Sequence, residues 1–417
     1  MGPRHLVATR DARRMAVLAL LLYAAFIAYQ SLADGGTWQC GGPVLSTHGR
    51  LSRSDLLANT VAYIPLGLLC VLVAIDRAAD GWRRLPRGVA AGVLVPSALS
   101  LGLELLQSCQ SNRMSGAYDW LANSFGALVG VTLALLLRSS AIVVPARAGH
   151  VPARPYASLR LFTALVAIAW IVSQTMPWVF SVDIGTMRSN LSFLRRWSHA
   201  PPLDAWHVVR HAGAWMALAC ACRLVARDAR LAVAALIGTG GLSLSLQVLL
   251  EARTPLSFEE LTGMACGAGL ALPAMLLARH DAHAGRWAVG LFCGALLVVG
   301  AYELRPEPSA IAATREFSWW PNVGLGSPLG ALDYALLFGW FGLATVVAAR
   351  WADVAGYRHA RRGWPALAVL AMLAFEIAQT AIPGRGPDVS APVFTLLAVL
   401  AAHACVQYVE RAHTRVL

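Results

Sequence analysis

Apolar runs without charge recur along nearly the whole chain, separated by short polar segments. They fall at 15–32, 55–75, 88–109, 118–137, 159–180, 205–222, 231–250, 257–278, 287–302, 329–349, 364–382 and 389–409. Each is long enough, or nearly so, to cross about 30 Å of hydrocarbon as helix. The run at 287–302 is short and its limits are the least defined. Trp, Tyr and Arg gather at many of the ends, as interface anchors do. The pattern predicts an all-α integral membrane protein with about 12 transmembrane helices.

Composition sharpens that expectation. Hydrophobic residues make up 57% of the 417 and charged residues 13%, against about 25% charged in soluble domains. A soluble enzyme, a disordered chain and a disulfide scaffold are thereby excluded. All 34 basic residues are Arg, none Lys, which reads as a coding bias. A formal charge of +12 raises the question of nucleic acid, but the placement of the Arg residues answers it. Connections of one parity, including both termini, carry 23 Arg and the other set carries ten, with Arg210 inside a run. By the positive-inside rule the first set is cytoplasmic, so both termini are expected inside a bacterial cytoplasmic membrane and no nucleic-acid partner is expected. The first run, behind a charged n-region, also fits a cleaved signal peptide. Its length and the even number of runs favour a retained helix.

Six of the eight Cys lie inside runs, where they behave as small hydrophobes. Cys220-x-Cys222 lies in apolar helix without partners, which argues against a metal there. Cys40 and Cys109 share the outer side, where a disulfide can form.

Internal repetition carries the most information. Gln107, Gln247 and Gln379 each end an outward-going run, and Arg113, Arg253 and Arg385 follow six residues later. Glu104 and Glu376 precede two of these Gln by three residues. Asp119 and Glu259 open the next run in the first two segments, while Asp388 follows Arg385 more closely. These landmarks divide the chain into three four-helix units at 1–150, 151–284 and 285–417. Four crossings per unit make them parallel repeats.

The first unit reads Asp55-x-x-x-Asn59, Tyr63-Ile64-Pro65-Leu66-Gly67, Glu104-x-x-Gln107, Arg113, and Asp119-x-x-x-Asn123-x-x-Gly126. In this it resembles the VanZ-like family of bacterial membrane proteins, whose pattern runs D-x-x-x-N, P-L-G, E-x-x-Q, R, D-x-x-x-N-x-x-G. The resemblance covers about 55–138. The second unit has His207 and His211 where Asp55 and Asn59 are expected and lacks the Glu; the third keeps Asp333, Glu376, Gln379 and Arg385 but lacks both Asn. The family takes its name from an accessory protein of glycopeptide-antibiotic resistance. The resemblance therefore implies a role at the cell envelope, with any complete site in the first unit.

The residues themselves suggest both structural and binding roles. Glu104 and Gln107 share one helix face, and an acid about 7–8 Å inside the apolar layer needs a partner. Arg113 or Arg53 is one such partner; a ligand pocket open outward is the other reading. Asp55 and Asp119 suit helix caps, whereas Asn59 and Asn123, one turn further in, suit hydrogen bonds between helices. Gly126-x-x-x-Gly130 and Gly263-x-x-x-Gly267 suit close helix approach, and Pro65 a kink. Arg113, Arg253 and Arg385 suit bidentate contact with an anionic head group, such as that of a membrane lipid or lipid-linked envelope precursor.

The expected ligand-binding set is therefore Asp55, Asn59, Glu104, Gln107, Arg113, Asp119 and Asn123, with Gln247, Arg253, Glu259, Glu376, Gln379 and Arg385 secondary. His207-x-x-x-His211, with Asp204, His199 and Glu259 near in sequence, is compatible with zinc; two packing histidines are the plainer reading. No metal and no cofactor is expected. The motifs of membrane lipid-phosphate phosphatases are missing, and a P-loop needs a Lys the chain lacks. An enzyme acting on lipid-linked phosphates remains an alternative, as does a transporter, although transporters usually divide in two halves.

Overall fold

The computed structural model describes residues 3–32, 37–42, 44–47, 53–74, 85–111, 115–142, 156–175, 184–195, 202–226, 228–250, 256–277, 284–307, 317–321 and 328–414. All regular structure among them is helical. The helices are α1 (Pro3–Leu32), α2 (Arg53–Ala74), α3 (Leu85–Gln107), α4 (Ala117–Ile142), α5 (Ala157–Gln174), α6 (Ile184–Asn190), α7 (Ser192–Arg195), α8 (Ala205–Val225), α9 (Ala229–Leu249), α10 (Phe258–Leu277), α11 (Ala284–Glu303), α12 (Pro328–Val354), α13 (Ala360–Gln379) and α14 (Ser390–Thr414).

Every expected apolar run coincides with a helix. Among the described residues nine of these are long and apolar enough to cross a membrane: α1 to α4, α8, α9, α11, α12 and α14. The other three runs form α5, shorter in its apolar part, α10, which opens with Glu259 and Glu260, and α13, which carries Arg361, Arg362 and Glu376. The short helices α6 and α7 lie in a connection whose sequence showed no helix signal.

The chain forms two compact units. The first comprises residues 1–158, 323–334 and 400–417; the second comprises 159–322 and 335–399. In the first, α2 and α4 touch through backbone. A Cβ on Gly67 would stand 2.1 Å from the Ala127 carbonyl oxygen, one on Gly126 2.0 Å from that of Thr60, and one on Gly130 2.1 Å from that of Ile64. Ile27, Tyr63, Leu66 and Leu103 join α1, α2 and α3 in one apolar core. Pro65 lies inside α2, which continues through it.

In the second unit the same device recurs between α8 and α10, where a Cβ on Gly267 would lie 2.2 Å from the Ala212 oxygen and one on Gly263 would meet His211 and Val208. Gly213 and Gly294 bring α8 and α11 together through backbone, each with a Cβ position 2.6–2.8 Å from the other's carbonyl oxygen. Indole donors tie α12 to α5: Trp340 Nε1 donates to the Val166 carbonyl at 3.0 Å, and Trp351 Nε1 to Thr163 Oγ1 at 2.8 Å. Without a hydrophobic force between helices in lipid, small residues and cross-helix hydrogen bonds are what remain to hold a bundle.

A membrane-embedded polar cluster

The first unit gathers most of the expected residues at one end of α2, α3 and α4. Asn59 Nδ2 donates to Asp119 Oδ1 at 2.7 Å, joining α2 to α4. Asn123 Nδ2 donates to Ser100 Oγ at 2.9 Å, joining α4 to α3. Both Asn thus make the bonds between helices their depth suggested. The two Asp do not stand at N-cap positions. α2 starts at Arg53 and α4 at Ala117, so Asp55 and Asp119 sit in the first turn, where the positive end of the helix dipole favours them.

Glu104 is 5% exposed and accepts a hydrogen bond from the backbone N–H of Gly116 at 2.8 Å. Its carboxylate faces the N-terminus of α4, where the unpaired amides of a helix start await an acceptor. Gln107 Nε2 donates to the Ser31 carbonyl at 2.7 Å, and Gln110 Nε2 to that of Leu32 at 2.9 Å. The two amides cap the C-terminal end of α1. Arg113 lies outside the described residues, as does the Arg53 side chain.

Over this end runs a short segment. Cys40 and Cys109 form a disulfide. Gln39 N donates to the Cys109 carbonyl at 2.7 Å, and Ser46 N to that of Ser115 at 2.9 Å. Isolated bridges pair Trp38 with Gln110 and Ser46 with Gly116.

Tyr63, 3% exposed, lies beside Ser100 and Glu104. Its hydroxyl hydrogen-bonds with Ser100, whereas the Asn123 Oδ1 is buried with no protein hydrogen-bond partner. Tyr63, Ser100, Glu104 and Asn123 therefore form one buried polar cluster. Ser100 was legible in principle, one turn before Glu104 on the same face; Tyr63 carried no signal beyond standing next to Pro65-Leu66-Gly67.

The second unit repeats parts of this arrangement. Glu376 accepts from the N–H groups of Asp388, 3.1 Å, and Ala391, 3.4 Å, at the start of α14. Gln379 Nε2 donates to Glu303 Oε2 at 2.5 Å, and Ser318 pairs with Asp388. Each of Glu303, Ser318, Glu376, Gln379 and Asp388 follows Ser31, Ser46, Glu104, Gln107 and Gly116, respectively, by the same number of residues.

Arg385 spends its guanidinium on the end of α11. It donates to the carbonyls of Tyr302 at 2.7 Å and Arg305 at 2.8 Å and pairs with Glu307 at 3.4 Å. In this position it is a helix C-cap, the favourable place for a cation.

Between α9 and α10, Gln247 Nε2 donates to Glu260 Oε1 at 2.8 Å and to Ser243 Oγ at 3.3 Å. The acid engaged is Glu260, the immediate neighbour of the expected Glu259. Asn190 Nδ2 caps α9 through the carbonyls of Gln247, Val248 and Leu250. Arg253 and His199 lie outside the described residues. Asp204 caps α8, approaches His207 Nδ1 at 3.9 Å and pairs with Arg305 at 2.9 Å. Partial burial works against ionising Asp204, but the Trp206 and His207 amides and the Arg305 charge hold its carboxyl below the usual range. His211 instead stands edge-on to Trp170. Among the described residues no three His, Cys, Asp or Glu are grouped to hold a metal ion.

Apolar helices of spanning length with polar groups pooled at helix ends define a multi-pass, all-helical membrane protein. Residues 8–138 match the VanZ/LLP1 family model, which makes the N-terminal segment VanZ-like. No curated protein matches the chain, and no solved structure does.

Proposed function

We propose that the protein crosses a bacterial cytoplasmic membrane twelve times, with both termini inside, as three parallel four-helix units. The first unit binds the anionic head group of a lipid or lipid-linked cell-wall precursor at the outer face, a role that bears on glycopeptide-antibiotic susceptibility. The orientation rests on the Arg distribution. The repeat reading is supported by the constant spacing between the Glu104 and Glu376 arrangements and by the paired glycine contacts of α2–α4 and α8–α10.

One observation carries the binding role. Within the VanZ-like segment, Asn123 Oδ1 is buried without a protein partner, in the same polar cluster as Glu104. A buried polar atom left unpaired costs about 1–3 kcal/mol, and a donor on a bound head group, such as a hydroxyl, relieves that cost. Arg113, in the adjoining loop, supplies the positive charge for the anion. Arg385 is engaged as a cap, which favours the first unit over the third.

The test is mass spectrometry of lipids retained by purified wild type, Arg113→Ala and Asn123→Leu in mild detergent. A specific anionic species held by wild type and lost from both variants is expected. Identical lipids in all three would leave the cluster a purely structural network.

A further inference from the structure

The second unit holds a polar seam that the head-group reading does not use. On α8, Asp204, His207, His211 and Trp215 are spaced three, four and four residues apart, so they line one face. On α9, Gly240, Ser243 and Gln247 form the buried stripe with Ala232 and Leu236. The two stripes meet: the Trp215 ring lies 3.3 Å from where a Gly240 Cβ would stand. Because the helices are antiparallel neighbours in sequence, that contact puts the turn of His211, which also meets Gly263 of α10 and Trp170 of α5, level with the turn carrying Ser243. It likewise puts the turn of His207 level with Gln247.

Along this seam three polar atoms are buried with no protein hydrogen-bond partner: Trp215 Nε1, His211 Nδ1 and Gln247 Oε1. Trp215 is 2% exposed and Gln247 1%. They are not scattered defects. They follow one another from the Asp204–Arg305 pair at the end of α8 down to Trp215, about 16 Å along the helix and roughly halfway through a bilayer. The bonds of Gln247 to Ser243 on its own helix and to Glu260 on α10 use only its amide nitrogen and leave its oxygen over. A Phe at 215 would carry no polar donor to orphan. The sequence instead places a donor, an imidazole and an acceptor in a row.

We propose that this seam between α8 and α9 is a binding site for hydroxyl groups, entered from the Asp204 end. A hydroxyl accepts from Trp215 Nε1 and donates to Gln247 Oε1, while His211 Nδ1 serves as donor or acceptor with its tautomer. Arg305 is paired with Asp204 at the mouth, and the Glu260 carboxyl behind Gln247 has Arg210 as its neighbouring cation. Water and a hydroxylated lipid head group offer the same chemistry. The site shares no residue with the first-unit cluster, so either can fail without the other.

The experiment uses the full chain in phosphatidylcholine nanodiscs containing phosphatidylglycerol. Ser243→Cys is reacted with a charged, membrane-impermeant methanethiosulfonate. Gly241→Cys, whose side chain would project into open space on the exposed face of α9, is the lipid-facing control, with wild type giving the background of native cysteines. Retained lipid is read in parallel by native mass spectrometry for wild type and Trp215→Phe, which removes the indole donor and keeps an aromatic ring at the position. Labelling at Ser243→Cys at least tenfold faster than at Gly241→Cys, with no lipid difference, assigns water. Phosphatidylglycerol retained by wild type and lost in Trp215→Phe assigns a head group. Slow labelling with unchanged lipid overturns the site. So does a Trp215→Phe melting temperature equal to or above wild type, since that is what removing a truly unpaired N–H would give.

Discussion

In the α2–α4 triplet the acid, Glu104, stands on α3 and the amide, Asn123, on α4; in α8–α10 the amide, Gln247, stands on α9 and the acid, Glu260, on α10. Each triplet has a Ser one turn before the middle-helix residue, Ser100 or Ser243. Both also have a paired glycine contact fixing the outer helices. The carbonyls of Thr60 and Ile64 meet Gly126 and Gly130, and those of Val208 and Ala212 meet Gly263 and Gly267. Aligned on those contacts, His207 corresponds to Asn59, His211 to Tyr63 and Glu260 to Asn123. Alignment by residue type sets Gln247 against Gln107; alignment by contact sets it against Glu104. One carboxyl and one amide per cluster are kept while their helices are exchanged. The number of hydrogen-bonding groups a cluster can satisfy is thus kept, though the residue at each position is not.

The largest effect comes from removing what the two triplets share. Gly126→Leu and Gly267→Leu both place atoms where a carbonyl oxygen already lies, and neither variant is expected to give a monodisperse peak on size exclusion. Gly241→Ala, with open space around it, serves as the neutral control. If only the first-unit variant fails, the second triplet does not depend on its glycines.

Next in size is the loss of a carboxylate from a helix start. Glu104→Ala and Glu376→Ala each strip a half-buried amide of its acceptor. Each is expected to cost about 2 kcal/mol, read as a fall in melting temperature in detergent. Equal losses would mark the two positions as equivalent; a loss at one alone would separate them.

The exchange itself is open to a double-mutant cycle. Gln247→Glu sets a second carboxylate against Glu260, and adding Glu260→Gln restores one acid and one amide in the order of the first triplet. A coupling of about 1 kcal/mol is expected between them. Additive melting temperatures would mean that the order of acid and amide matters.

The smallest difference lies at the helix starts. Asp204 is a true N-cap of α8, whereas Asp55 sits inside the first turn of α2. Asp204→Ala is expected to cost about 1 kcal/mol near neutral pH. Because neighbouring donors hold its carboxyl below the ordinary value, this stabilisation is full above about pH 4. It is lost only as pH falls through the lowered value. Melting curves of wild type and Asp204→Ala that fail to converge at low pH would contradict that origin.

Twelve apolar runs and the positions of Glu104, Asn59, Asn123 and the Gly-x-x-x-Gly pairs were legible in the sequence. A helix buried in lipid must be apolar along its length, and any polar residue within it stands out against that background. The partners were not legible. Glu104 turns to the amide of Gly116, Gln107 to the carbonyl of Ser31, and Arg385 to the end of α11, because backbone groups carry no letter in the sequence. Nor did the sequence distinguish Glu260 from Glu259, since neighbouring positions on a helix point about 100° apart and only packing decides which one faces inward. Composition and periodicity alone determined that this chain is a helical membrane protein with its polar groups pooled near helix ends. Which of those groups meet, and which buried atoms are left for a ligand, was decided by the tertiary contacts: helix register is set by glycine–carbonyl approach between segments some sixty residues apart.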